Sequence, residues 1–191
     1  MLAKGLHFPN VTVVGIISAD TCLYIPDFRA NERTFQLISQ VAGRTGRSEK
    51  KGVVYVQTFM ADQPVIKYAI NNDFEGFVAE ELEHRKACDL PPFWRLAIIH
   101  LRDTNYDKLE VASEDLKQRV ESIVADQQLQ AHIRGPMPAT ISRLKRYHRM
   151  QMMIQVPNPA RMNALFSSLR KMGPLRPAVG FYVDIDPVNL L

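Results

Sequence analysis

Gln40-Val41-Ala42-Gly43-Arg44-Thr45-Gly46-Arg47, the string QVAGRTGR, closes an amphipathic run that begins at Thr34 and sets two arginines three residues apart, each after a glycine. That is the shape of a helix C-terminus delivering two guanidinium groups to one small anionic target. Glycine lets the backbone approach closely or take a positive φ, and arginine offers a permanently charged planar fork that matches phosphate oxygens. A nucleoside triphosphate suits such a pair, with one arginine placed to neutralise charge developing on the γ-phosphoryl group.

Working outward, Val11 to Ile17 is a β-rich apolar run that predicts a buried parallel strand. Thr21 to Asn31 has no clean period and predicts a loop, with Arg29 and Arg33 available to brace it or to touch DNA. Asn31 or Glu32 is expected to cap the following helix, whose Phe35, Ile38 and Val41 fall on one face. Ser48 to Gly52 is a charged turn and Val53 to Phe59 a short strand. Asp62-Gln63-Pro64 opens a short helix. Asp73 to Ala87 predicts a longer one with an apolar stripe of Phe74, Phe77, Val78 and Leu82. Leu90-Pro91-Pro92-Phe93 breaks it and marks a boundary.

The second half reads β-α-β-β-α-β. Strands are expected at Leu96–Arg102, His132–Gly135, Met150–Val156 and Phe181–Ile185. Helices are expected at Tyr106–Val124, with Leu109, Ala112, Leu116, Val120 and Ile123 inward, and at Pro159–Met172, with Met162, Leu165, Phe166 and Leu169 inward. This order is a split βαβ, ferredoxin-like arrangement. The expected fold class is therefore α/β, with a ferredoxin-like α+β domain at the C-terminal end.

The net charge of +4 is unevenly spread: residues 1–92 sum to −1 and residues 93–191 to +5, and Gln127 to Val183 holds nine basic residues and no acidic one. A single-signed stretch of that length is an electrostatic footprint for a polyanion. Its densest part, GPMPATISRLKRYHRMQMMIQ, crowds Arg143, Lys145, Arg146 and Arg149 around Tyr147 and His148. Cationic side chains hold backbone phosphates and aromatic rings stack unpaired bases, so Arg143, Lys145, Arg146, Tyr147 and Arg149 are the candidate nucleic-acid-binding residues. In an extended segment Tyr147, Arg149 and Gln151 share a face.

Two cysteines, Cys22 and Cys88, sit far apart, and His7, His84, His100 and His132 show no metal spacing, so no metal site is expected. Met150, Met152 and Met153 read as core filler. No apolar run has membrane-spanning length. A reducing cytosol suits the scarcity of cysteine.

QVAGRTGR resembles motif VI of superfamily 2 helicases, Q-x-x-G-R-x-G-R, and MLAKGLHFPNVTVVGIISAD resembles motif V of the PriA-type family of primosomal replication-restart helicases. LPPF and the ending VDIDPVNLL fit the same family's C-terminal part, so the resemblance runs from Met1 to Leu191. It implies the end of a second RecA-like lobe over residues 1–62, a helical bridge over 63–92 and a ferredoxin-like domain over 93–191. It also implies ATP-driven 3′-to-5′ unwinding at stalled forks, primosome assembly and a bacterial cytoplasmic setting. Lys4, Gly5, Gly43, Arg44 and Arg47 would serve the nucleotide, Arg44 and Arg47 catalytically, with Arg47 the transition-state finger.

The sequence contains no G-x-x-x-x-G-K-[ST] and no D-E-x-H box. The chain is thus expected to be the last part of a longer protein or a truncated reading frame, binding DNA or a partner without hydrolysing ATP. The family's ATP, magnesium and zinc-module chemistry would then belong to the full-length parent, with nothing bound to this piece. The implied partners are forked or single-stranded DNA, other primosome proteins and the acidic tail of single-stranded DNA-binding protein, received at Arg146, Arg149 and Gln151. The family's R-x-Q carries an aromatic where Met150 stands here, and Tyr147 occupies a position that is usually basic. A non-enzymatic module for structured RNA or single-stranded DNA is the alternative.

Overall fold

A computed structural model describes residues 12–43 and 52–190, and apolar spacing partitions those described residues into two sheets and six helices. Two units result, Met1–Glu83 and His84–Leu191.

In the first unit, β1 (Val13–Ile16) and β2 (Val53–Val56) pair in parallel, Val13 opposite Val53 and Ile16 opposite Val56. The short helix α1 (Asp20–Leu23) occupies part of the stretch expected to be a loop. The Asp20 carboxylate is the local reason. It accepts from Thr58 Oγ1 at 2.6 Å and from the Phe59 N–H at 3.0 Å, which fixes the chain just after β1 and holds this carboxyl below its ordinary pKa. Helix α2 (Ala30–Ala42) starts earlier than its apolar run suggests. Neither Asn31 nor Glu32 caps it; Asp27 accepts from the Arg29 N–H at 3.0 Å and pairs with Arg33 at 3.0 Å, organising the entry. Phe35, Ile38 and Val41 are buried as their spacing requires, packed with Ile16, Val65, Ile66 and Phe77.

Helix α3 (Pro64–Asn71) follows, and α4 (Phe74–Ala87) runs across the division between the units. Phe77 stacks on Phe35 at 4.5 Å. The expected stripe is incomplete, because Phe74 and Leu82 are exposed while Glu81 is buried and accepts from Asn31 Nδ2 at 3.3 Å. A buried carboxylate is tolerated where it finds a donor, and periodicity cannot foresee that.

The second unit runs β3 (Arg95–Asp103), α5 (Tyr106–Asp126), β4 (His132–Leu144), β5 (Tyr147–Val156), α6 (Pro159–Lys171) and β6 (Gly180–Ile185). Its strands form one sheet in the order β4-β5-β3-β6, every neighbouring pair antiparallel. Asn105 and Asn158 begin the two helices by accepting from the N–H three residues on. Leu109, Leu116 and Val120 of α5 and Met162, Leu165 and Leu169 of α6 pack with Ala97, Ile99, Leu101, Met150, Met152 and Ile154 of the sheet. Alternation along the strands leaves the opposite face clear of that core. Met153 belongs to that opposite face, paired with Ile98.

Candidate nucleic-acid interface

The expected strand at His132–Gly135 proves much longer. It continues to Leu144 and returns as β5 from Tyr147, with only Lys145 and Arg146 in the turn. Lys145 takes φ 56°, a left-handed conformation that a lysine rarely adopts. The ladder slips twice along β4, between Arg134 and Met137 and between Pro138 and Arg143. Bulges of this kind bend a strand and re-aim its side chains. Beyond them the last five residues of β4 are all exposed, so the hairpin end stands clear of the core.

Register then decides which side chains meet. Leu144 lies opposite Tyr147, and on the next strand Arg102 lies opposite Arg149 and His100 opposite Gln151. From the other side β6 sets Tyr182 opposite His100 and Gly180 opposite Arg102. All of these occupy the face turned away from α5 and α6. They enclose a recess of about 380 Å³ lined by His100, Leu101, Arg102, Leu144, Lys145, Tyr147, Arg149 and Tyr182. Three cations and no carboxylate line it.

Contacts inside the recess are specific. The Tyr147 ring has the Arg102 guanidinium 5.4 Å and the Arg146 guanidinium 5.5 Å from its centroid. Arg149 donates to the Ile141 carbonyl at 3.4 Å. His100 and Tyr182 stack, centroids 4.6 Å apart and planes 18° apart. Burial, then the neighbouring Arg149 charge, pushes the His100 imidazole below its ordinary pKa, with Asp184 pulling the other way. Its Nδ1 is buried without a hydrogen-bond partner.

Of the residues singled out in the sequence, the fold gathers Lys145, Tyr147 and Arg149 in the recess and places Arg146 against Tyr147. Arg143 pairs with His148 and is exposed outside the recess lining. Gln151 is on the recess face but only 8% exposed. Gly43 ends α2, its N–H bonded to the Ser39 carbonyl at 3.0 Å. Lys4, Gly5, Arg44 and Arg47 lie outside the described residues.

His100, Arg102 and Tyr182 were not singled out by sequence reasoning. The available signal was strand alternation, since His100 and Arg102 share a parity opposite to Ala97, Ile99 and Leu101. That parity becomes informative only once β3 is known to lie between β5 and β6.

Among the described residues no cluster of His, Cys, Asp and Glu could hold a metal, and no helix is long and apolar enough to cross a membrane. His132 instead bonds Asp89 at 2.7 Å and stacks on Trp94, and His84 lies 3.7 Å from the Cys88 sulfur.

The family model of the primosomal protein N C-terminal domain matches residues 86–188. Replication restart protein PriA of Bacillus subtilis (strain 168) is 38% identical over 169 residues, which cover 88% of this chain and 21% of that protein. The protein of the same description from Haemophilus influenzae (strain ATCC 51907 / DSM 11121 / KW20 / Rd) is 37% identical, covering 100% of this chain and 26% of its own length. That of Chlamydia muridarum (strain MoPn / Nigg) is 38% identical, covering 99% and 25%. The chain therefore spans about a quarter of the length of these curated relatives. Among solved structures, the de novo designed protein Foldit4 aligns with 49% of this chain and 97% of its own at a TM-score of 0.35 and 12% identity, a likeness too slight to inform the fold.

Proposed function

The chain belongs to the family of the primosomal protein N C-terminal domain, and on that premise we propose that it serves replication restart by binding nucleic acid through the β4–β5 hairpin. The observation that carries this reading is the meeting of Arg102, Lys145 and Arg149 in one recess without a carboxylate, beside exposed Arg143 and Arg146. Phosphate contacts from such a cluster supply affinity with little sequence information, which suits a protein that must engage forks of any sequence.

The second unit is the DNA-facing, ferredoxin-like domain in this reading. The strand order β4-β5-β3-β6, with core residues of both helices packed on one sheet face, supports that assignment. The parallel β1–β2 pair with α2 against it supports the end of a RecA-like lobe over residues 1–62, joined by a helical bridge over 63–92. Within the full-length helicase, Arg44 and Arg47, with Gly43, Lys4 and Gly5, act on the phosphates of ATP and its magnesium. The zinc module belongs to the remainder of that parent.

Docking of the acidic tail of single-stranded DNA-binding protein on Arg146, Arg149 and Gln151 is the competing use of the same hairpin. The near-complete burial of Gln151 favours nucleic acid over it.

The test is a salt titration of binding by the full chain to labelled forked DNA, single-stranded DNA and duplex RNA. Each phosphate neutralised on a single strand contributes about 0.7 to the slope of log K against log salt. Arg143→Ala combined with Arg146→Ala is therefore expected to flatten the slope by about 1.4. An unchanged slope overturns the assignment of the hairpin. Tighter binding to duplex RNA than to forked DNA overturns the role in restart.

A further inference from the structure

On the recess face, Arg102 of β3 and Arg149 of β5 are directly opposed. Like charges facing each other across a strand pair destabilise it. Among the described residues neither forms an ion pair. Arg102 lies against the Tyr147 ring and Arg149 reaches only a carbonyl oxygen. On its other side Arg102 faces Gly180, where an added Cβ would come within 3.4 Å of Arg102 Cγ, so the glycine leaves room for the arginine stem to lie down. Two arginines at opposed positions without a counter-charge can clamp a phosphate.

Two residues along β3 from Arg102 and on the same face, His100 stacks on Tyr182 of β6, and the stack forms a wall. Tyr182 is 52% exposed, so the side of its ring not covered by His100 is open. An aromatic surface beside a cationic pair on the face of a four-stranded antiparallel sheet turned away from its helices is a general arrangement for splaying and stacking unpaired bases. The recess volume of about 380 Å³ admits one such base and its phosphate.

Building on the nucleic-acid reading above, we propose that this recess holds one unpaired nucleotide, its phosphate bridged by Arg102 and Arg149 and its base laid on Tyr182 beside His100. A paired base keeps both faces in the helix stack and cannot reach Tyr182. The recess therefore makes the second unit prefer single strands, while the hairpin end, with Arg143 and Arg146, attracts any phosphate backbone.

The experiment measures affinity of the full chain, by fluorescence anisotropy, for an oligothymidylate, for the same backbone made of abasic sites and for a duplex of equal length. Loss of one stacked base by alanine substitution corresponds to about a five- to hundred-fold change in affinity. Tyr182→Ala is expected to weaken the oligothymidylate by that factor and to leave the duplex within about twofold, whereas Tyr182→Phe retains binding. Arg102→Ala is expected to weaken the oligothymidylate and lower its salt slope by about 0.7. The abasic strand should bind the unaltered protein as weakly as the oligothymidylate binds Tyr182→Ala, a readout that needs no variant to fold. If Arg143→Ala with Arg146→Ala weakens binding of the oligothymidylate while Tyr182→Ala and Arg102→Ala leave it unchanged, the recess proposal is overturned and the hairpin reading stands. Equal affinity for the abasic and thymidylate strands also overturns it. If the unaltered chain binds none of the three, both readings fall.

Discussion

Replacing Gly135 by alanine should destabilise the second unit without touching its hydrophobic core. Gly135 has φ +99°, and a Cβ there would lie 2.8 Å from the Gln151 carbonyl oxygen and 3.0 Å from the Met137 nitrogen. Both obstacles are backbone atoms of the β4–β5 ladder, so no flexible side chain can yield. The torsion alone costs about 1–3 kcal/mol for a residue with a side chain. Forcing a methyl against packed neighbours adds about 1–3 kcal/mol more. The expected loss is therefore about 2–6 kcal/mol, against a typical domain stability of about 5–15 kcal/mol. Urea unfolding of the full chain followed by tryptophan fluorescence isolates the effect, because the chain has one tryptophan, Trp94, stacked on His132 within this unit. At a slope of about 2 kcal/mol/M the midpoint should fall by about 1–3 M urea. Gly173 supplies the control: its φ is +75° but nothing lies within 4 Å of an added Cβ, so Gly173→Ala meets only the torsional part. If the Gly135→Ala midpoint stayed where it was, or if both substitutions cost the same, the steric argument would be refuted.

The same tryptophan signal reads two further substitutions. Leu165→Ala removes a fully buried side chain shared by α6, α5 and the sheet and should cost about 2–5 kcal/mol, leaving the affinity for nucleic acid of the folded fraction unchanged. His100 predicts a pH dependence. Burial and Arg149 depress its pKa in the fold and Asp184 only partly opposes them, so the unfolded chain takes up a proton that the folded chain resists. Stability should be level above about pH 6.5 and fall as pH drops below it, and His100→Asn should remove that component. A pH profile identical in the variant would show that His100 is not responsible.

The second unit was largely legible because its elements carry strong periods. Leu109, Leu116 and Val120 recur at helical spacing, and the asparagines before Tyr106 and Pro159 sit where a helix needs a side-chain acceptor. The hairpin length was not legible. Thr140 to Leu144 form strand without burying anything, so the alternation that betrays a half-buried strand is missing there. The short helix at Asp20 escaped for a different reason: its organising bonds come from Thr58 and Phe59, nearly forty residues away. The site divided along the same line. Arg143 to Arg149 stand out because their charges are contiguous, whereas His100, Arg102 and Tyr182 come from separate strands and are united only by register.

The exposed outer portion of β4 separates two kinds of selection. Residues from Thr140 onward hold up no core, while Met150 and Met152 on the returning strand are locked into it. A lineage can therefore exchange charges and rings at the hairpin end with little danger to folding, and whatever those side chains recognise can drift faster than the scaffold that presents it.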